Sequence, residues 1–314
     1  MAINTLATAT LMQKNLDKIA VQDAVTGWMD ANAGQVIYHG GAEVKIPKMS
    51  VQGMGDYDRD SGYVQGGVTL EYETRTMTQD RGRKFQLDAM DIDENNFVTT
   101  ASSVMAMFQR EHVIPEIDAY RLSSLATKAI GYNSGAYVEY GYTPAEATIL
   151  RKIKEGIKAV RDNGYNGPLV IHAVSAVTME LEIAMAGKIA AVDFAKGGIN
   201  TKVPAVDGVP IIETPANRMY TAIKILDGKS SGQEAGGYQK GDSALDINFL
   251  IMPRTTPIAI TKQDKMKIFA PDVNQDADAW KMNYRRYHDL WVLDNRMNSI
   301  FANIKDAKPS QGDS

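Results

Sequence analysis

DIDENNFVTTASSVMAMFQREHVIPEIDAYRLSSLATKA, residues 91–129, is the stretch on which the fold turns. Phe97, Ala101, Val104 and Phe108 step by four, three and four, which stacks them on one face of a helix. Beyond Pro115 the pattern resumes with Ile117, Tyr120, Ser124 and Leu125. Asp91, Asp93 and Glu94 precede the run, where carboxylates complement the positive end of a helix dipole. Proline carries no N–H to donate, so the spacing predicts either a kink at Pro115 or a second helix with proline in its first turn. The whole element would be roughly 55 Å long. A compact domain needs less, and a helix of this length serves as a strut between lobes.

Upstream of the strut, residues 36–88 switch to a period of two. Val44 and Ile46 alternate with Glu43 and Lys45, and Pro47 is expected to stop that segment. Val68, Leu70, Tyr72 and Thr74 alternate with Thr69, Glu71, Glu73 and Arg75. Between them lies GMGDYDRDSGYVQGG, residues 53–67. This pattern predicts a long two-stranded hairpin with a glycine- and aspartate-rich tip, reaching about 50 Å. An isolated hairpin leaves one face uncovered and is barely stable in water. A neighbouring subunit is the economical cover, and Asp56, Tyr57, Asp58, Arg59 and Tyr63 at the tip are the candidate inter-subunit contacts. Further upstream, residues 1–9 are small and polar. Leu11, Leu16, Ile19 and Val25 suggest a weak helix over residues 11–29, broken by Asn32, Gly34, Gly40 and Gly41.

Downstream, Gly131–Gly141 is a turn-rich connector. Thr143-Pro144-Ala145-Glu146 has the form of a capping box, followed by a stripe of Leu150, Ile153, Ile157 and Val160, and by Asn163-Gly164 as terminator. Leu169–Val174 is an apolar run of strand length, with Ser175 as the cap of a helix to Ala186. Gly197-Gly198 and Asp207-Gly208 mark turns, and Val209–Glu213 reads as a strand. After the polar loop 227–243, the segments Ile247–Met252, Ile258–Thr261, Met266–Phe269 and Trp280–Leu293 read as strands. The tail after Ile304 is too polar to pack. The fold class is α+β.

Composition narrows the function. The 314 residues carry a net charge of −4, 44% hydrophobic and 23% charged residues, and no cysteine. Thiol nucleophiles, cysteine metal sites and disulfides are excluded. The acidic balance argues against holding nucleic acid on a basic surface. No basic leader with an apolar core and no membrane-length apolar run occurs, which places the chain in a cytosol-like compartment.

Catalytic and cofactor motifs fail on spacing. Gly228-Lys229-Ser230 resembles the end of a phosphate-binding loop, but position 223, where that loop needs glycine, is isoleucine. Asp91-x-Asp93-x-Asn95 and Asp272-x-Asn274-x-Asp276 lack the glycine and glutamate of a calcium loop. His39, His112, His172 and His288 are scattered, without the spacing that puts two ligands on one helix face. Glu116 and Asp118 do not face each other on a helix, so they make a poor acid/base pair. They are candidates for salt bridges to a neighbouring element or subunit. No catalytic, metal or cofactor site is expected, and these failures weigh against a small-molecule enzyme built on the α+β lobe.

The order of parts carries a resemblance. FQLDAMDIDEN at 85–95, REHVIPEIDAYRLSSLA at 110–126, VDGVPIIETP at 206–215 and KMKIFAPDVNQDADAWKMNYRRYHDLWVLDNRMNSIFANI at 265–304 together resemble the major capsid proteins of tailed double-stranded DNA phages, with their Hong Kong 97-type fold. The resemblance implies an N-terminal arm (1–32), an extended loop lying over the next subunit (33–88), a peripheral domain with the spine helix (89–139 and 256–305), an axial domain (140–255) and a disordered tail (306–314). It implies a structural shell subunit, assembling with itself into hexamers and pentamers of an icosahedral phage head. That head would enclose double-stranded DNA without sequence-specific binding. Implied partners are a separate scaffolding protein, a portal and a decoration protein, with no membrane. The location is the virion, assembled in the host cytoplasm. An encapsulin-like nanocompartment shell shares the fold and is the alternative.

Overall fold

Period-two and period-3.6 segments alternate along the chain, and in a computed structural model the described residues form four sheets and a long helix. The structure describes residues 24–36, 43–88, 103–185, 190–196 and 199–309. The expected arm before residue 24, the first part of the strut (91–102), the Gly40-Gly41 and Gly197-Gly198 breaks and the last tail residues lie outside the described residues.

The strut is helical from 103 to 131. Residues 103–108 are α-helical, Gln109–Val113 form a π turn, and α1 (Ile114–Gly131) follows. In the π turn the Ile114 N–H donates to the Gln109 carbonyl, five residues back. Pro115 is the cause. Its ring would collide with the Glu111 carbonyl in an unbroken α-helix, and the wider turn relieves that clash without ending the helix. The inserted residue also resets the phase. Met105 before the turn, Gln109 at its first position, and Ile114, Ile117, Asp118, Arg121, Leu122 and Leu125 after it, are all buried. The sequence stripe was therefore one position off before the turn, since Val104 and Phe108 are only half-buried. It also missed two buried charges.

The largest sheet has seven strands in the order β4 (Val138–Glu139), β14 (Phe301–Ile304), β11 (Ile247–Pro253), β5 (Leu169–Ala173), β8 (Val209–Glu213), β7 (Ile199–Val206), β6 (Ala190–Lys196). β4 with β14 and β5 with β8 run parallel, and the other pairs antiparallel. β5 and β11 are buried at every position, which is why both read as unbroken apolar runs. α2 (Glu146–Asp162) buries Ile149, Ile153, Ile157 and Val160, and α3 (Ser175–Ala184) buries Val177 and Leu181. Gly156 lets α2 sit close to the sheet. A Cβ there would lie 2.7 Å from Ile251 Cδ1 and 2.9 Å from Phe301 Cδ1.

A second sheet, β12 (Pro257–Phe269), β13 (Ala279–Val292) and β3 (Gln79–Asp88), packs Met282, Tyr284, Phe85 and Met266 against Met105 and Phe108 of the strut. β1 (Glu43–Val51) and β2 (Val68–Thr76) form the hairpin, and β9 (Ile223–Ile225) and β10 (Tyr238–Lys240) a small ribbon.

Several local expectations are corrected. Pro47 does not stop its strand; it lies inside β1 opposite Tyr72. In a two-stranded ribbon both strands are edges, and proline is tolerated where its missing N–H would point outward. The two short strands expected over 258–269 are one strand with a bulge between Thr261 and Gln263. Thr143 caps nothing, because the N-cap of α2 is Ala145. The chain before it stays extended: Tyr142 donates to the Ile304 carbonyl and its own carbonyl accepts from Asn248. Ser175 is inside α3, whose N-cap is Val174. Residues 27–35 are a 3₁₀ helix that continues past Asn32 and Gly34.

Candidate assembly surfaces

The hairpin ladder runs from Glu43 opposite Thr76 to Val51 opposite Val68. Nine residues of ladder span roughly 30 Å, shorter than the sequence suggested because the tip occupies 16 residues. Opposed residues share a face, and the register separates two very different ones. One face carries Val44 and Ile46 at the root, both buried against Met77, Ile258, Ile260 and Trp291. Farther out the same face is polar: Lys48, Ser50, Thr69 and Glu71. The opposite face begins with Lys45 and Thr74 and then becomes apolar, with Pro47, Met49 and Val51 against Tyr72, Leu70 and Val68. The apolar side of the ribbon thus changes at Ile46/Pro47, and from there it points away from its own subunit.

Of the large apolar side chains exposed among the described residues, nine lie on this hairpin: Met49, Val51, Met54, Tyr57, Tyr63, Val64, Val68, Leu70 and Tyr72. Only Met107, Met179, Ile183 and Val273 lie elsewhere. The hairpin side chains together present on the order of 1,000 Å², more than the largest patch of a typical monomer and about one side of a standard interface. At the tip, Asp58 accepts from the backbone N–H groups of Asp60 and Ser61, which holds its carboxyl below the usual range. Gly62 closes this turn at φ +83°. Tyr57 and Tyr63 meet edge to face at 4.9 Å. Asp56, Arg59 and the two tyrosines are exposed.

Glu116 and Asp118 are placed differently. Glu116 holds Arg81 of β3 in a bidentate pair at 2.7 and 3.1 Å. Asp118 is completely buried. It accepts from the backbone N–H groups of Val25 and Thr26, at 3.1 and 3.0 Å, from the Thr26 hydroxyl, and from Arg218 at 2.8 Å. Next to it Arg121, 1% exposed, donates to the Thr26 carbonyl and to both oxygens of Asp30. Asn32 donates to the carbonyls of Arg254 and Pro257. These bonds fasten residues 25–32 to the strut and to β12. The sequence gives one weak signal of this lock: two opposite charges, Asp118 and Arg121, on the apolar stripe of a helix.

A second polar joint ties strut to sheet. Tyr120 donates to Asp289 at 2.6 Å, and Thr78 donates to the other oxygen of Asp289 through its N–H and hydroxyl. Burial first, and the neighbouring carboxylate second, push the Tyr120 hydroxyl up to about 12. His288 is buried beside it, and burial together with Arg286, Arg121 and Arg81 holds its imidazole far below its ordinary pKa.

Some of the motifs weighed for chemistry lie among the described residues, with these contacts. Gly228-Lys229-Ser230 is a turn in which Asp227 accepts from the N–H groups of Lys229 and Ser230 and from the Ser230 hydroxyl, which lowers the carboxyl to about 2. His172 lies in the core, bonded to Trp28 and Thr214. Asp276 pairs with Lys281 and Lys84. Among the described residues no group of three or more His, Asp or Glu side chains could hold a metal ion, and no helix is long and apolar enough to cross a membrane.

The chain matches no known protein family by sequence and no curated protein. Its fold has counterparts among solved structures. The capsid structure of the cyanophage P-SCSP1u is 11% identical, with 86% of this chain and 85% of that chain covered and a TM-score of 0.55. The mature capsid of bacteriophage PhiM1 is 13% identical, covering 84% and 82%, with a TM-score of 0.52. A structure of Microbacterium phage Oxtober96 is 10% identical, covering 87% and 90%, with a TM-score of 0.55. The fold is that of phage capsid structures, α+β in class, as the resemblance implies.

Proposed function

We propose that this chain is the major capsid subunit of a tailed phage: a structural, non-enzymatic protein that assembles with copies of itself into hexamers and pentamers of an icosahedral head. The observation that carries the proposal is the hairpin. Its apolar side changes face at Ile46/Pro47 and then continues for roughly 17 Å of ladder, exposed among the described residues. A ribbon so built is stable only when another surface covers it. The capsid fold supplies the context in which identical neighbours do so.

On this reading residues 33–88 bridge to the next subunit through Asp56, Tyr57, Asp58, Arg59 and Tyr63. Glu116 and Asp118 act inside the subunit, since Arg81, Thr26 and Arg218 occupy their oxygens. The peripheral domain comprises 89–139 and 256–305, and the axial domain 140–255. A separate scaffolding protein, a portal and a decoration protein are the partners. The enclosed double-stranded DNA is contained rather than gripped, in keeping with a net charge of −4. Assembly takes place in the host cytoplasm and the product is the virion head.

Electron microscopy of the purified chain, alone and with scaffold, tests this. Closed shells or hexameric and pentameric rings support it, and a uniform monomer under every condition refutes it. Enzymes rather than DNA inside the shells would point to a nanocompartment instead.

A further inference from the structure

Beneath the root of the hairpin, where β1 and β2 meet the end of the strut, the surface folds into a hollow of about 300 Å³, at the lower limit of volumes that hold a small ligand. Its apolar side includes Trp291, which is buried. Its charged lining comes from elements far apart in the chain: Lys48 of β1, Glu73 and Arg75 of β2, Lys128 in the last turn of α1, and Asp294 just after β13. The register puts Lys48, Glu73 and Arg75 on one face of the ribbon, the face whose Val44 and Ile46 pack on the body. Three cations therefore converge on one space.

Their charges do not balance. Asp294 pairs with Lys48 at 3.1 Å, and Glu73 with Arg75 at 2.6 Å. Lys128 is the odd cation, reached by its neighbours' charges only through space. Burial first and Arg75 second hold its amine below the ordinary lysine pKa, against smaller pulls from Asp289 and Asp294. An amine in that setting is short of an anion. Arg75 gives one nitrogen to Glu73 and keeps the rest of its fork for another acceptor. Ser50 and Asn295 also line the hollow and add neutral donors. Donors that arrive from both strands of the ribbon, from the helix and from the loop suit a tetrahedral oxyanion, whose oxygens point in several directions. We propose that this hollow binds a free phosphate-class oxyanion, held by Lys128 and Arg75 and bridging the hairpin root to the end of the strut. A space this small beneath the ribbon admits phosphate or pyrophosphate and not a double helix, which makes the source a free anion. Bound there, the anion fastens β2 to α1 and fixes the angle at which the hairpin leaves the body.

Amine footprinting reads the site directly. The full-length chain is treated briefly with acetic anhydride, with pyrophosphate or with sodium chloride of equal ionic strength, and acetylation of each lysine is measured by mass spectrometry. Labelling of Lys128 should fall about tenfold once pyrophosphate exceeds its dissociation constant about tenfold, while exposed Lys267 on β12 is unchanged. Thermal melting supplies the second readout. Pyrophosphate should raise the melting temperature saturably in the unmodified chain and in Lys267→Met, and have no such effect in Lys128→Met or Arg75→Gln. Without anion, Lys128→Met should melt no lower than the unmodified chain, because it removes a half-buried cation that has no counter-charge of its own. The site is overturned when Lys128 labels equally with and without pyrophosphate, or when Lys128→Met keeps the melting response. Protection of Lys128 by a short DNA duplex and not by pyrophosphate overturns the free-anion source. Neither readout requires assembled particles, so a failure of the shell reading leaves this test intact.

Discussion

Leu70→Asp places a carboxylate in the middle of the hairpin's outward apolar face, opposite Met49. In the lone subunit Leu70 is 55% exposed, so the substitution should change subunit stability by no more than about 0.5 kcal/mol. Assembly is another matter. Half a leucine is roughly 100 Å², and losing its burial costs about 2.5 kcal/mol at each interface. Desolvating an unpaired carboxylate there adds a few kcal/mol more. The total of about 4–6 kcal/mol corresponds to roughly a thousand- to twenty-thousand-fold weaker subunit association. Thr69→Asp is the control, one residue away on the polar face, and should assemble normally. Light scattering and electron microscopy read assembly, and thermal melting reads the fold. Normal particles from Leu70→Asp, or equal loss from both variants, would refute the reasoning that the face and not the strand makes the contact.

Asp118→Ala strands Arg218 and frees two backbone N–H groups in the core, and should cost about 3–5 kcal/mol in denaturant unfolding; Asp118→Ala combined with Arg218→Met should lose less than the two separate losses added together. His288 is neutral in the fold while its unfolded counterpart titrates near 6.5, so the unfolded chain alone takes up the proton as pH falls below about 6.5. Stability is therefore complete above that pH and declines on acidification by up to about 1.4 kcal/mol per unit, and His288→Gln should remove this component of the slope. Identical pH profiles for the two proteins between about pH 6.5 and 5.5 would be the contrary result. Gly156→Ala gains up to about 1 kcal/mol of helix propensity. Overpacking against Ile251 and Phe301 costs about 1–3 kcal/mol, so a net loss near 1 kcal/mol is expected in thermal melts.

The comparison of sequence with structure divides by range. The hairpin, α2, the buried strands β5 and β11 and the Asp207-Gly208 turn were legible because each is written in a local period or a turn residue. The exposed tip residues were legible too, since glycine and aspartate at that density cannot pack. The turn-level misses, Pro47 and Thr143, came from judging a residue by its type without its strand partner or its preceding backbone.

By itself the sequence determined the α+β class, the presence of a strut and a projecting ribbon, and the lack of catalytic spacing. Alternation and helical stripes arise from the geometry of single segments. Only the tertiary structure decided which side of the ribbon is bare, since a slip of one residue in register exchanges its two faces. It decided as well that Pro115 widens the helix into a π turn instead of breaking it, and that Asp118 and Arg121 point inward to hold residues 25–32. A buried charge is tolerable only with partners, and here those partners lie far along the chain, Thr26 and Asp30 92 and 91 residues before and Arg218 100 residues after.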